Sequence, residues 1–527
     1  VRRSQKRPEK PPPRLGDLLS HTAARFAKRE AVVWGQERWS WSELEERAVS
    51  FAGALVELGV ERGDRVALVS TNRPEALVAY FAAARIGAIT AALGPSYTAA
   101  ELNRLVELVE PAAVVALGRL GERELDAVLG ELTLPEDAAV IAIGDDPAPA
   151  GALSFDELSR RECPRELAEK VERRRAAVEP DDGLLLVFTS GSTGEPRGAL
   201  LSHRNVIANI EAEVRVLDLG PDDRILLHLP IHHVGGATEL AVPPLLTGAA
   251  VVMMDHFRPD EALSLVEREG ITLLGQVPAM FVMEFGLENY ADFDLSSLRT
   301  VAVAGAAAPR RVFEQMLEMA PRVVTGYGLT EVAGFVTYTA PGDGLETLAQ
   351  TVGRVVTEFE LRVVDPEGRP LPEGEVGEVE IRGACVMLGY FRDPEATAEV
   401  LGPDGWLATG DLGHLDERGC LTLVDRKKEM FISGGYNVYP REIEEHLARH
   451  PKIALAACIG LPHEVLGEVG VAFVVPRPGA ELDAEEVLDH CRGGLAEHKV
   501  PRSVEVRREL PMTALGKIDK RALRKAK

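Results

Sequence analysis

Ten residues from Thr189 to Gly198, TSGSTGEPRG, hold three glycines, four hydroxyl side chains, one proline and one arginine. They follow Leu184, Leu185, Leu186, Val187 and Phe188, an apolar run that reads as a buried strand. Glycine lets backbone N–H groups approach a ligand closely, and hydroxyls donate hydrogen bonds to oxyanions. Arg197 adds a charge and a bidentate fork. The mixture suits a phosphate group, although a surface turn has a similar make-up. No register supplies the G-x-x-x-x-G-K-S/T spacing of the common P-loop.

The elements that must position such a loop can be read on either side of it. In SWSELEERAVSFAGALVELG, Ser40 and Glu43 form a capping-box pattern, Leu44, Ala48, Phe51 and Leu55 keep helical spacing, and Gly59 suits the stop. DRVALVS (64–70) is a short strand and PEALVAYFAAARIG a helix. After the loop, NVIANIEAEVRVLDLG, DEALSLVEREG and PRRVFEQMLEMAP read as helices. RILLHLP, AAVVMMD, ITLLGQ, TVAVAG and RVVTGYG read as strands. This alternation predicts an α/β fold with mostly parallel, helix-covered sheets, whose strand carboxyl ends bind ligands.

From about residue 350 the character changes: FELRVVDPEGRPLPEGEVGEVEIRG (359–383) has strands separated by Pro/Gly turns with no helix between, which predicts a small antiparallel subdomain. From Arg426 an α+β pattern begins. There PREIEEHLARHP is a short helix with Arg449 and His450 in its last turn. The expected division is a flexible tail over 1–14, a large domain over 15–425 with its β-rich part near 350–425, and a small mobile domain over 426–527.

The 527 residues exceed one core, and the net charge of −24 argues against nucleic acid or an anionic membrane as partner. Five scattered cysteines without a CxxC pair suggest free thiols in a reducing compartment. The longest apolar run, near Ala76 to Ala84, is closed by Arg85 and is too short for a bilayer. A cytoplasmic protein without a transmembrane segment is expected. A homodimer stays open.

Three further segments make the loop specific: GYGLTE (326–331), TGD (409–411) and PMTALGKIDKRALR (511–524). With FTSGSTGEPRG, LPIHHVGG (229–236) and DRKKEMFISGGYNVYPREIEE (425–445), they resemble in order and spacing the signature motifs of adenylate-forming enzymes. That superfamily holds acyl-CoA synthetases, peptide-synthetase adenylation domains and luciferases; the resemblance is closest to fatty-acid and 4-coumarate-type CoA ligases. It covers nearly the whole chain from about residue 15. It implies an ATP-dependent acid–CoA ligase that first makes acyl-AMP and pyrophosphate, then passes the acyl group to coenzyme A.

The same resemblance implies the roles. Thr189, Ser190, Gly191, Ser192, Thr193 and Gly194 would wrap the β- and γ-phosphates, with Arg197 beside them. Thr330 would touch phosphate and Glu331 would hold Mg²⁺. Gly326, Tyr327, Gly328 and Leu329 belong to the nucleotide site, where Tyr327 stacks on adenine. Gly305, Ala306 and Ala307 pass their backbone close to the base. Asp411 and Arg426 would reach the ribose. Lys517 would bridge the substrate carboxylate and the α-phosphate. Lys428 would be the hinge, whose rotation withdraws Lys517 and brings Gly434 and Gly435 toward the pantetheine of CoA. His233 would be the gate beside the acyl pocket. Two departures stand out: the loop ends PRG where the family usually has PKG, and position 434 is glycine where some relatives carry lysine.

The acid pocket should lie near 234–238, 276–281, 303–307 and 332–335, which are mostly small or apolar. Gly235, Gly236 and Ala237 leave room for a bulky group. HHVGGATEL has no aspartate to hold an ammonium, and no arginine stands in these segments for a second carboxylate. An apolar monocarboxylic acid remains: fatty, alicyclic or aryl. The alternatives are an enzyme that loads an acyl carrier protein or stops at acyl-AMP, and a non-catalytic nucleotide-binding relative.

Overall fold

The computed structural model describes residues 13–120, 123–144, 151–190, 196–512 and 518–527. Five loop residues (191–195) and the segment 513–517 lie outside this set, as do residues 1–12 of the expected tail.

Two large sheets form the N-terminal part. The first runs, in order, Gly389–Tyr390, β2 (Pro196–Ser202), β1 (Gly183–Ser190), Ile89–Leu93, Arg65–Val69, Ala113–Leu117, Ala139–Ile143 and Leu153–Ser154. It is parallel from β1 onward and antiparallel at the β1/β2 edge. The hydroxyl-rich run therefore belongs to a hairpin, whose second arm had no counterpart in the sequence reading. Helix α1 (His203–Leu217) follows β2 at once, started by a capping box between Ser202 and Asn205.

The second sheet runs Glu37–Ser40, Glu30–Trp34, Ala250–Met253, Arg224–Leu227, β3 (Leu273–Gln276), β4 (Thr300–Val303), β5 (Arg322–Leu329), β6 (Gly334–Tyr338) and Arg354–Val355. Its pairs from Glu30–Trp34 to β5 are parallel. Helices cover these sheets as the periodicity predicts. Trp41–Glu57 starts at Ser40 with both capping-box bonds made, and Pro74–Ile86 stops at Gly87 with φ 76°. Arg85, at the end of the apolar run, is buried and paired with Glu45 and Glu172. Among the described residues no helix is long and apolar enough to cross a membrane, and all five cysteines are free.

A third, antiparallel sheet holds Glu360–Val364, Gly377–Arg382, β7 (Leu407–Leu415) and β8 (Leu421–Arg426). Its inward residues Val363, Val379, Ile381, Leu407 and Leu421 join the same apolar core as the first sheet. Beyond β8 the chain builds a separate core of Phe431, Ile443, Leu447, Ile453, Val474 and Val487 around a fourth sheet. The helix there spans Pro440–Leu447, so Arg449 and His450 lie past its last turn rather than in it. The whole is α/β, with a large N-terminal part of mostly parallel sheets, a small antiparallel β part, and a small α+β C-terminal part.

Candidate active site

The site gathers at the carboxyl ends of β1 and β5. In β1, Thr189 pairs with Arg197 across the hairpin. Thr189 donates its hydroxyl to the Arg197 carbonyl at 3.4 Å. Gly191, Ser192, Thr193 and Gly194 lie outside the described residues, as does Lys517; Ser190 is described only as the last residue of β1. Arg197 lies over the ring of Tyr390, 5.4 Å from its centroid, and approaches Glu399 at 3.5 Å.

The GYGLTE segment is shaped by close backbone crossing. A Cβ on Gly326 would come within 2.5 Å of the Thr337 carbonyl oxygen, and one on Gly328 within 1.9 Å of that of Gly334. These two glycines let β5 and β6 cross, with a register shift between Tyr327 and Gly328. Leu329 ends β5, and Thr330–Val332 form a short 3₁₀ turn. Ala333 then sits in the left-handed region at φ 63°. Thr330 is buried. The Glu331 carboxylate accepts a hydrogen bond from the Tyr390 hydroxyl at 2.8 Å, and its backbone carbonyl accepts from Met387 N–H at 2.8 Å. Burial, and then the charge of Glu331, push the Tyr390 phenol up, so it stays a donor. Tyr390 pairs with Ala199 of β2. It thus joins the hydroxyl-rich hairpin to Glu331, a link that no motif in the sequence marked.

On the other side stands Asp411, in β7 opposite Arg426 of β8. One oxygen accepts from the Tyr327 hydroxyl at 2.6 Å, and the other lies 3.0 Å from Arg426 Nε. Burial raises the Tyr327 phenol well above its ordinary range, and Asp411 adds to that. Asp411 also strengthens the protonation of Arg426. Gly305, Ala306 and Ala307 are exposed at the end of β4, and Gly305 has φ 82°.

Past β8, Lys427 pairs with Glu378 at 2.7 Å, while Asp425 accepts from the backbone N–H groups of Arg426 and Arg441. Burial, then Arg426 and Arg521, lower the pKa of Lys428. Gly434 (φ 57°) and Gly435 (φ 85°) form the two-residue turn of a hairpin in which Ser433 pairs with Tyr436. That turn needs two left-handed residues, so a lysine at 434 would be strained.

The acid side is built on one π-helical turn, Gly235–Leu240. Gly235 donates its N–H to Nδ1 of His233 at 3.1 Å, which leaves Nε2 as the protonated nitrogen of the neutral ring. Burial holds His232 at about 4, so it is neutral. A Cβ on Gly235 would have the side chains of Leu229, His233 and Glu239 as its nearest neighbours, at 3.0 to 3.6 Å. Gly236 is different: its Cβ would lie 2.3 Å from the Pro230 carbonyl oxygen. Ala237 is buried in the core. None of the three small residues expected to leave room faces open space: a Cβ on Gly235 would already press on Leu229 at 3.0 Å, and Gly236 serves a close backbone approach.

Sequence reasoning missed several buried polar groups beside the expected pocket segments. Glu239 has no cation partner among the described residues, and burial raises it to about 8. Glu284 is fully buried and also raised to about 8 by burial, while accepting from Gln276 Nε2 at 2.7 Å. Glu239 carried a signal, as the one charge between Val234 and Thr247.

For Mg²⁺ the donor set fits. Glu331 offers a single carboxylate, and no cluster of three His, Cys, Asp or Glu exists among the described residues. Magnesium commonly binds through one or two carboxylates plus phosphate oxygens and keeps several waters.

Comparison with known proteins shows the family. The model of the AMP-binding enzyme family matches residues 19–391, and that of the AMP-binding enzyme C-terminal domain matches 442–517. A Mycobacterium tuberculosis CoA ligase for a methyl-dioxo-octahydroindenyl propanoate is 38% identical over 96% of this chain and 97% of its own. Indoleacetate–CoA ligase of Aromatoleum aromaticum is 36% identical over 96% of both chains. The ATP-bound structure of MatB from Rhodopseudomonas palustris superposes with a TM-score of 0.84 at 30% identity, covering 97% of this chain and 98% of that one. The chain belongs to the AMP-binding family of adenylate-forming enzymes and is an AMP-forming acid–thiol ligase.

Proposed function

We propose that the protein joins a bulky, mainly apolar monocarboxylic acid to coenzyme A at this one site, in two half-reactions. A carboxylate is a poor acyl donor because its leaving group would be oxide. In the first step a carboxylate oxygen attacks the α-phosphorus of ATP; the bond to the β-phosphate oxygen breaks, and pyrophosphate leaves. In the second, the CoA sulfur attacks the acyl carbon, its proton is lost, and AMP leaves. The chemistry asks the protein for positioning and charge neutralisation.

The observation that carries this reading is the convergence of separate motifs through two phenols. Tyr390 ties the phosphate-loop hairpin to Glu331, and Tyr327 ties GYGLTE to Asp411 and Arg426. We assign Thr189 to Gly194 to the pyrophosphate end of ATP and Asp411 with Arg426 to the ribose hydroxyls. Asp411 has lone pairs left beyond the two bonds it already makes. Glu331 would hold Mg²⁺, which supplies charge neutralisation on the phosphates. Lys517 would neutralise the approach of carboxylate to α-phosphate, and a turn about Lys428 would exchange it for Gly434 and Gly435 when CoA binds. Arg197 is engaged by Tyr390 and Glu399, which supports a role in steadying Tyr390 rather than in clamping phosphate.

Two relatives act on fused-ring and indole acids, which supports a wide carbon body for this substrate. A panel of fatty, alicyclic and aryl acids with ATP, Mg²⁺ and CoA tests the reading. It expects equal amounts of AMP and acyl-CoA from at least one bulky acid. Acyl-AMP that accumulates while CoA stays inert would point to a carrier-protein or adenylate-only enzyme.

A further inference from the structure

Two ion pairs stand on either side of Lys428, the residue assigned above to the hinge. On the N-terminal side, Lys427 donates its backbone N–H to the Gly410 carbonyl at 2.9 Å and its ammonium to Glu378 at 2.7 Å. Glu378 belongs to the strand Gly377–Arg382, and its other oxygen accepts the Gly410 N–H at 3.2 Å. Lys427 is therefore fastened twice to the third sheet, next to the turn that carries Asp411.

On the C-terminal side, the Glu429 carboxylate meets the ammonium of Lys520 at 2.8 Å. Lys520 opens the helix Lys520–Lys525, whose Leu523 shares a buried core with Ala457, Ile459, Val471 and Phe473. The same ammonium lies 2.8 Å from Glu444 of the helix Pro440–Leu447. Glu444 in turn accepts the Cys458 N–H at 2.7 Å. Three charged side chains thus join the residue after Lys428 to two helices and a strand of the C-terminal part. The Lys520–Glu444 pair lies wholly within that part, and the Glu429 pair is the arm that reaches the hinge.

Lys428 itself is held differently. Neither its backbone nor its side chain makes a hydrogen bond or ion pair among the described residues. The charges of Arg426 and Arg521 repel its ammonium. Two backbone bonds pass over it, from the N–H groups of Glu429 and Met430 to the Arg426 carbonyl, at 2.9 and 3.1 Å. A rotation at Lys428 opens those two bonds and leaves both ion pairs in place.

We infer that Glu378 and Glu429 are positioning residues that confine the rotation of the C-terminal part to Lys428, one by fixing the residue before it and the other the residue after it. This rests on the ligase reading above and adds to it what holds the two ends of the hinge. A rotation that serves two half-reactions has to stop at two defined orientations. If the flanking residues turned as well, the C-terminal part would spread over more orientations. Each half-reaction would then slow in proportion to the population of its productive one. The two pairs differ in weight: Glu429 and Lys520 are largely buried, whereas Lys427 is more than half exposed. The Glu429 pair should therefore matter more.

Glu429→Gln and Glu378→Gln keep the side-chain size and remove the charge. Glu429→Gln leaves Lys520 paired with Glu444, so the C-terminal part should stay folded. The first measurement needs no substrate: hydrogen exchange of the backbone amides of residues 427–430. Exchange there should quicken about tenfold in Glu429→Gln and about threefold in Glu378→Gln, with the strands Ile453–His463 and Gly467–Pro476 unchanged. The second takes the best-accepted acid of the panel above. It reads acyl-AMP formation from acid and ATP, and thioester formation from supplied acyl-AMP and CoA. Both half-reactions should slow by these same factors, with KM for ATP within about twofold of the parent. Unchanged exchange at 427–430 in both variants overturns the proposal, as does a loss confined to one half-reaction or a raised KM for ATP as the main effect. Quickened exchange across both strands in Glu429→Gln would mark Glu429 as a residue of the fold and also overturns it. If no acid of the panel gave AMP and acyl-CoA, the ligase reading itself would fail, while the exchange measurement would still decide whether the two pairs hold the neighbours of Lys428.

Discussion

The phenol of Tyr327 donates to Asp411 across 2.6 Å, and Arg426 holds the other carboxylate oxygen at 3.0 Å. The residue assigned to adenine thus orients the residue assigned to ribose before any nucleotide arrives. Tyr327→Phe removes that bond while keeping the ring. A hydrogen bond to a charged group contributes about 1.5–3 kcal/mol. KM for ATP should therefore rise about tenfold, with kcat nearly unchanged, and Asp411→Asn should do more damage. ATP-saturation curves decide this. A fall in kcat at unaltered KM would place Tyr327 elsewhere.

Tyr390 makes the matching link on the phosphate side. Tyr390→Phe leaves Glu331 without its donor and breaks the contact between the hairpin and the carboxylate. The Mg²⁺ concentration for half-maximal rate should rise several-fold. Arg197→Lys keeps the charge but loses the flat guanidinium that lies over the ring. If Arg197 acts by steadying Tyr390, this variant should shift the Mg²⁺ dependence in the same direction, and the double variant should add little. Additive losses would mean that Arg197 contacts phosphate directly.

Adjacent glycines should respond in opposite ways. The nearest neighbours of a Cβ on Gly235 are side chains rather than backbone, so Gly235→Trp should fold, lose bulky acids and keep short ones. Gly236→Ala drives a Cβ against the Pro230 carbonyl and should lower soluble yield or thermal stability sharply. Circular dichroism melts and an acid panel separate the two. An unchanged acid profile for Gly235→Trp would show that the pocket lies elsewhere.

Glu284 gives a pH signature. Its folded pKa, about 8, lies above the ordinary carboxyl value of 4.5. The folded state therefore keeps a proton that the unfolded chain releases. Stability from this group is intact below pH 4.5 and is lost as pH rises toward 8. Glu284→Gln cannot ionise, and its amide can pair with Gln276. The variant should melt a few degrees above the parent at pH 8.5, with the gap closing toward pH 5. Buried histidines act in the reverse sense. His203, His228 and His232 sit at about 4, so each withdraws stability as pH falls from about 6.5 toward 4.

Much of the architecture was legible because local signals agreed with the fold. Ser40 with Glu43, Gly87 after Ile86, and the short apolar runs before glycine loops each mark a boundary that the structure keeps. The second arm of the β1/β2 hairpin was not legible, because Arg197–Leu201 has neither strict alternation nor a turn of known type before it. The helix Pro440–Leu447 ended earlier than expected: Arg449 and His450 suit a last turn, but their N–H groups bond to His446 and Leu447, three residues back, in turns beyond the helix. Of the site, the motif residues could be named from order and spacing. Tyr390 could not, since its importance comes from contacts between elements far apart in sequence. Gly236 read as open space because a sequence does not show a carbonyl oxygen 2.3 Å from where its Cβ would be.

The central claim is that an acyl-adenylate links ATP cleavage to thioester formation. An accepted acid carrying ¹⁸O in its carboxylate, turned over with ATP, Mg²⁺ and CoA, tests it most directly. One labelled oxygen should appear in AMP and none in pyrophosphate. With Lys517→Ala, labelled AMP should form orders of magnitude more slowly, while acyl-AMP supplied with CoA still yields thioester at close to the parent rate. Label in inorganic phosphate, formation of ADP, or equal loss of both half-reactions in the variant would contradict the account.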